Sequence, residues 1–282
     1  MSDFIPAFKS IDLSAPWLMS YLGIHQAFNQ DLPTGELADW LNSYFKNHAI
    51  KPTLHNSDKP LTFVNQDDLP HGTAYEAHIH ATANIPTRNN LHDWFGACVW
   101  SAFPKSKSVL NHVHIREMAK GANEHNGRNR VRDAITVFDE NGAILMVKDR
   151  DIGRALQNFD WQNTLVKPRN QWHNPALPSA DGAAQIFIFG HALLEQLIHP
   201  RKPLCSHAFI LSVDDEFFEL SLVDKLAYVD EVLAIRLDQW LIDGATPRDL
   251  SPLPILGVPY FWDNEDASFY NDANVFRSGR RA

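Results

Sequence analysis

The sequence predicts a helix-rich α+β protein, one body with a small sheet and an extended C-terminal tail. Three observations support this. Apolar residues recur at helical spacing through long stretches, above all 90–103, 105–120 and 218–242. Strand-like runs are short and scattered, at 61–64, 185–189 and 208–213. From Pro252 onward prolines and asparagines are interleaved with Tyr260, Phe261, Trp262, Phe269, Tyr270 and Phe276. Such a tail is expected to pack along the body, because aromatics left in water would form an exposed apolar patch.

Residues 14–48 predict two helices, the second capped by Thr34 and carrying Leu37, Trp40, Leu41 and Tyr44 on one face. Pro52, Pro60, Pro70 and Gly72 make 51–72 a loop around a short strand. That loop divides an N-terminal helical segment, 1–72, from a main body, 73–282, expected to be one continuous domain. Residues 90–103 are apolar nearly all round, as in a helix buried on several faces, and Pro104 stops or bends it. An amphipathic helix resumes over 105–120. Residues 134–147 suggest a hairpin turning at Asp139-Glu140-Asn141-Gly142, although Asn-Gly would also cap a helix. Asp149 or Asp151 caps a helix over 151–159, and the polar stretch 168–184 has the length of a lid or a disordered loop. A buried strand, 185–189, then runs into Gly190 and a helix over 191–198. A second strand, 208–213, precedes the helical region 218–242.

Composition excludes several classes. The net charge of -9 argues against a sequence-independent grip on nucleic acid, which needs Lys and Arg against phosphates; only Lys105, Lys107 and Arg116 suggest a local basic face. No apolar run approaches the roughly 18 residues that cross a bilayer, and the N-terminus lacks the pattern of a secretory signal. Cys98 and Cys205 are far apart in apolar context, so buried thiols are expected rather than a disulfide or zinc knuckle. A cytoplasmic protein follows as the expectation.

Two polar turns could carry chemistry. With Asn90 as N-cap, Leu91, His92 and Asp93 fill a first helical turn whose unpaired N–H groups welcome an anion. Arg88 would add a guanidinium fork for a carboxylate or phosphate, and the helix dipole would keep His92 neutral and usable as a base. The plain alternative is a capping arrangement in which Asp93 reaches back to the cap. The second turn is Gly190-His191-Ala192-Leu193-Leu194-Glu195, a strand end that presents His191 with Glu195 one helical turn on. Spacing of i and i+4 suits two ligands of one metal, or a carboxylate that orients an imidazole. A third group is looser: Arg132 and Asp133, the turn acids Asp139 and Glu140, and His207, whose strand is expected beside 185–189 and so near His191. The pairs His78/His80 and His112/His114 lack a third ligand at useful spacing. In a strand His78 and His80 would share one face, whereas on a helix His112 and His114 would diverge by about 200°.

Four separated blocks carry a family resemblance: Pro86-Thr87-Arg88-Asn89-Asn90-Leu91-His92-Asp93-Trp94-Phe95; Arg132-Asp133-Ala134 with Phe138-Asp139-Glu140-Asn141-Gly142; Gly190-His191-Ala192-Leu193-Leu194-Glu195; and Pro254-Ile255-Leu256-Gly257-Val258-Pro259 with Val275-Phe276-Arg277. From about Tyr75 to the C-terminus they resemble the proteobacterial domain of unknown function 3025. The resemblance implies a cytoplasmic bacterial protein whose blocks share one body, and it brings no assigned catalytic residue. Gly96 departs from the asparagine expected after Phe95.

The functional expectation is a hydrolase acting on a small anionic substrate in a cleft between the Asn90 helix start and the Gly190-His191 strand end. Arg88, Asn90, Arg132 and Asp133 would bind substrate, and His92, Asp93 and His191 would be catalytic. His191, Glu195 and His207 would hold a divalent metal such as zinc, or else form an acid-base relay. The alternatives are a non-catalytic ligand-binding or scaffold protein, with Arg88, His92 and Asp133 in a buried polar network, and a nucleic-acid enzyme. The sequence leaves the oligomeric state open.

Overall fold

The computed structural model describes residues 1–121, 129–177 and 182–280, and His125 lies outside them. The chain is a helix-rich α+β protein with small sheets. In chain order its main elements are α1 (Phe4–Lys9), α2 (Leu22–Gln30), α3 (Leu37–Asn47), β1 (Thr62–Asn65), α4 (Tyr75–Thr82), β2 (Asn84–Thr87), α5 (Leu91–Ala102), α6 (Pro104–Gly121) and α7 (Arg130–Asn141). There follow β3 (Gly142–Val147), α8 (Arg150–Gln157), β4 (Ala184–Ile188), α9 (His191–Gln196), β5 (Cys205–Ser212), α10 (Glu216–Glu219), α11 (Leu222–Ile242) and β6 (Ser251–Pro254). These elements fall into two compact units.

The first unit comprises Met1–Leu13, Tyr21–Asp139 and Leu226–Pro247. Its core is built on α5, where Trp94, Phe95, Ala97, Cys98, Val99 and Trp100 are all buried. Trp94 meets the rings of Phe4, Phe8, Phe28 and Trp40. The predicted cap is in place: Asn90 Oδ1 accepts the Asp93 N–H at 2.8 Å. Asn90→Ala is expected to lower folding stability by about 1 kcal/mol, read by denaturant unfolding.

Pro104 occupies the first position of a new helix, where a missing N–H costs nothing. The following donors, the Lys105 and Ser106 N–H groups, are both taken at 2.9 Å by the carboxylate of Asp230 on α11. Burial raises the Asp230 pKa while those bonds hold it down. Helix α3 begins at Leu37 rather than after Thr34, because its cap comes from elsewhere: Asn89 Oδ1 accepts the Leu37 N–H at 2.8 Å. Strands β1 and β2 pair in parallel, with Phe63 opposite Ile85. Asn42 of α3 brackets β1 through both the N–H and the carbonyl of Phe63.

The second unit comprises Ser14–Ser20, Glu140–Lys225 and Arg248–Ala282. It holds a four-stranded sheet in the order β4-β3-β5-β6, in which β3 runs parallel to β5 and the outer pairs are antiparallel. The expected hairpin over 134–147 does not form. Ala134, Ile135 and Phe138 instead bury one face of α7, and the chain passes directly into β3. Every residue of β3 is buried, so its run is continuous rather than alternating, and periodicity alone could not separate it from a helix end.

The tail packs on this unit as expected. Fully buried Asn264 donates to the Leu256 and Val258 carbonyls at 2.7 and 2.8 Å and accepts from Arg169 at 2.8 Å. The rings of Phe269, Tyr270 and Phe276 cluster together, and the Lys202 ammonium lies 4.2 Å from the Phe269 ring centre. Cys98 is buried, Cys205 is half-buried, and both are free thiols.

Candidate functional site

In the second unit the strand end develops as the sequence suggests, beside an acid that the sequence places only in a turn. The N–H groups of Phe189 and Gly190 converge on the Gly142 carbonyl, at 3.0 and 2.8 Å. This presses Gly190 against the end of α7 so closely that a Cβ there would lie 2.5 Å from the Glu140 carbonyl oxygen and 2.6 Å from Asn141 N and Cα. Only glycine fits such an approach. His191, the next residue, is therefore stationed beside Glu140, with Nε2 3.6 Å from Oε2. His191 is 9% exposed, and the Glu140 side chain is 36% exposed.

That separation decides what the pair resembles. Direct N–H···O bonds fall at about 2.7–3.2 Å. Two donors bound about 2.1 Å from one tetrahedral zinc sit about 3.4 Å apart. The pair thus has the spacing of two ligand edges, or of a histidine and carboxylate that close on a shared proton.

Glu195, one turn along α9, is half-buried. His207 is not beside β4 as expected. The sheet order puts β3 between β4 and β5, and His207 pairs in register with Gly142 on one side and Pro252 on the other. Its Nδ1 is buried without a hydrogen-bond partner, and burial, then Arg280, lowers its pKa. The expected adjacency fails because β3, expected as half of a hairpin, is the strand that separates the other two.

In the first unit Arg88, Asn89, Asn90 and Asp93 are brought together and engage one another. The Arg88 guanidinium grips Asp93 through Nε at 3.0 Å and Nη2 at 2.9 Å, while the Arg88 N–H adds a third bond to the same carboxylate at 2.6 Å. Asp93 thus reaches back to Arg88 rather than to the Asn90 cap. Asn89, which caps α3, also donates to Glu36 at 2.8 Å. His92 lies half-buried in the first turn of α5.

Arg132 and Asp133 lie in the first turn of α7. Asn129 Oδ1 accepts the Val131 and Arg132 N–H groups at 3.1 Å, and Arg132 Nε is buried with no hydrogen bond. The local basic face is neutralised by paired acids: Lys105 with Glu231, Lys107 with Asp139 at 2.6 Å, and Arg116 with Glu117 at 3.5 Å. Among the described residues no helix is long and apolar enough to cross a membrane.

The family described as "Protein of unknown function (DUF3025)" matches residues 61–280. The chain belongs to this family. The DUF3025 match takes in β1 as well as the region from Tyr75 onward that carries the resemblance, which agrees with the pairing of β1 on β2. No curated protein and no solved structure matches the chain. Within this DUF3025 protein, Glu140, which the sequence places only in the looser group as an ordinary turn acid of a hairpin, is the residue that lies beside His191. The Asn-Gly signal, taken as a helix end, would have placed it in the last turn of a helix, just ahead of a strand.

Proposed function

We propose that this DUF3025 protein is a hydrolase for a small anionic substrate, with His191 and Glu140 at its centre. The observation that carries the reading is the nearly buried imidazole held 3.6 Å from a carboxylate by a glycine that no other residue could replace. In the metal-free form His191 takes a proton from the attacking water, Glu140 stabilises the imidazolium, and His191 returns the proton to the leaving group. In a metal-assisted form His191 and Glu140 would be among the residues that hold a divalent ion such as zinc, and the ion would supply a more acidic water.

Elemental analysis of purified protein, run with hydrolysis of p-nitrophenyl acetate and p-nitrophenyl phosphate, tests this. His191→Ala should lower turnover by about a hundredfold, with Glu140→Gln close behind. Metal lost in both variants selects the metal-assisted form. Turnover unchanged in His191→Ala rejects the hydrolase.

A second reading is favoured by one observation. Arg88, Asn89, Asn90 and Asp93 are engaged in capping and bracing α3 and α5, which is what a non-catalytic scaffold would need from that segment.

A further inference from the structure

A pocket in the second unit gathers three arginines that no acid answers. Its floor is one face of the β5–β6 pair: Cys205 and its register partner Pro254 line it, and so does Pro252, which stands opposite His207. Prolines are tolerated in β6 because it is an edge strand, and their rings make the floor rigid and apolar. Arg248, Arg277 and Arg280 stand around a cavity of about 360 Å³. Among the described residues no carboxylate lines it, although the chain as a whole carries 34 acids against 25 bases.

Local anchors place the arginines and leave charge to spare. The Trp161 indole donates to the Arg277 carbonyl at 2.6 Å, and Arg277 Nε donates to the Asn274 carbonyl at 3.0 Å. Arg280 Nη2 donates to the carbonyls of Arg248 and Leu250, the latter at 3.0 Å. Among the described residues nothing accepts from the Arg277 Nη groups or from the Arg248 guanidinium, and none of the three arginines is in an ion pair. Burial pushes the Cys205 thiol up to about 11, against smaller downward pulls from the Leu253 backbone and Arg277, so no thiolate offsets them.

An aromatic wall completes the pocket. Phe159 and Trp161 both line it, their rings edge to face with centres 5.9 Å apart, and the Arg280 guanidinium lies 6.0 Å from the Phe159 ring centre. Phe159 stands where glycine is the rule. Helix α8 ends in a Schellman turn, with the Asp160 N–H on the Ala155 carbonyl at 2.9 Å and the Phe159 N–H on the Leu156 carbonyl at 3.0 Å, and Phe159 takes the left-handed position at φ 59°. A strained side chain on a pocket wall is a cost that ligand clamps retain. We infer that this pocket binds a small organic anion with a planar aromatic body. The carboxylate or phosphate head meets the Arg248 and Arg277 guanidiniums, whose fork fits either group, and the ring lies against Phe159 and Trp161. A cavity of this size suits a ligand of one or two rings.

The inference does not rest on His191 and Glu140, and one experiment separates the two. Full-length protein is titrated with the fluorescent dye anilinonaphthalene sulfonate, which is then displaced by naphthoate, by naphthylphosphonate, which has no ester to hydrolyse, and by the neutral naphthalenemethanol. The expected result is one saturable dye site from which an anion displaces the dye at about a tenth of the concentration that the alcohol needs, the better anion naming the head group. Affinity for the dye and for that anion should fall by about tenfold in Arg248→Met, in Arg277→Met and in Phe159→Gly, in proteins whose thermal unfolding is unchanged. It should hold in His191→Ala and in the control Arg154→Met, an arginine of α8 outside the pocket. Affinity equal to wild type in both pocket-arginine variants overturns the site, as do an alcohol that competes as well as the anions, a dye that finds no saturable site, and binding that disappears with His191.

Discussion

Gly190→Ala is expected to lower folding stability by about 3 kcal/mol and to break the pairing of His191 with Glu140. Backbone conformation alone predicts the reverse. Gly190 has φ -65° and ψ 112°, which alanine adopts without strain, and removing a glycine from the unfolded chain should stabilise by about 0.4–1 kcal/mol. Packing overrides that gain. The new methyl would lie 2.5–2.6 Å from three backbone atoms of Glu140 and Asn141, none of which can rotate aside as a side-chain tip could. Relief requires α9 to move off the end of α7, stretching the two N–H bonds that converge on the Gly142 carbonyl. Gly35→Ala is the control, since nothing lies within 4 Å of a Cβ there. Denaturant unfolding of the two variants decides: a Gly190→Ala protein as stable as wild type would show that the close approach is not maintained in solution. The same variant should lose the turnover or metal that depends on His191.

The local signals were legible where one segment settles its own structure. The Asn90 cap, the apolar face of α5, the proline that opens α6 and the Asp149 cap of α8 all depend on residues within one turn of each other. What stayed hidden depends on partners far along the chain. Asn89 looks like half of an Asn-Asn turn, yet its amide caps a helix that starts 52 residues earlier. Asp230 looks like a surface acid on α11, yet it closes the N-terminus of α6 from 125 residues away. The histidine pairs misled for the same reason. Spacing along one helix separates their members, while packing of α4 against α6 unites one from each. Within the candidate site, His191 was legible because a strand running into glycine and then a helix is a local pattern. Glu140 was not, since its place depends on whether 134–147 turns back or runs on.

Acidification should weaken the first unit through a single buried histidine, by about 3 kcal/mol between pH 6.5 and pH 4. His25 is fully buried among Phe8, Trp94 and Phe95. Its Nδ1 donates to the Tyr21 carbonyl at 2.8 Å, which leaves Nε2 as the acceptor for the Trp94 indole N–H at 3.2 Å. Both bonds are satisfied by one neutral tautomer. Protonation would turn Nε2 into a donor facing another donor, inside an aromatic core. Burial accordingly pushes the pKa down from 6.5 to about 4, against the smaller upward pull of the Tyr21 carbonyl. The sign follows from the folded pKa lying below the unfolded one. Above pH 6.5 both states are neutral and the contribution is whole. As pH falls towards 4 the unfolded chain binds a proton that the folded chain refuses, and stability drops until the native state protonates too. His25→Gln can still donate to Tyr21 and accept from Trp94, but it cannot titrate. Its stability should therefore change less between pH 7 and pH 4.5 than that of wild type, as measured by denaturant midpoints. Parallel curves for the two proteins would mean that acid sensitivity arises elsewhere, and that His25 is not the neutral hinge of this core.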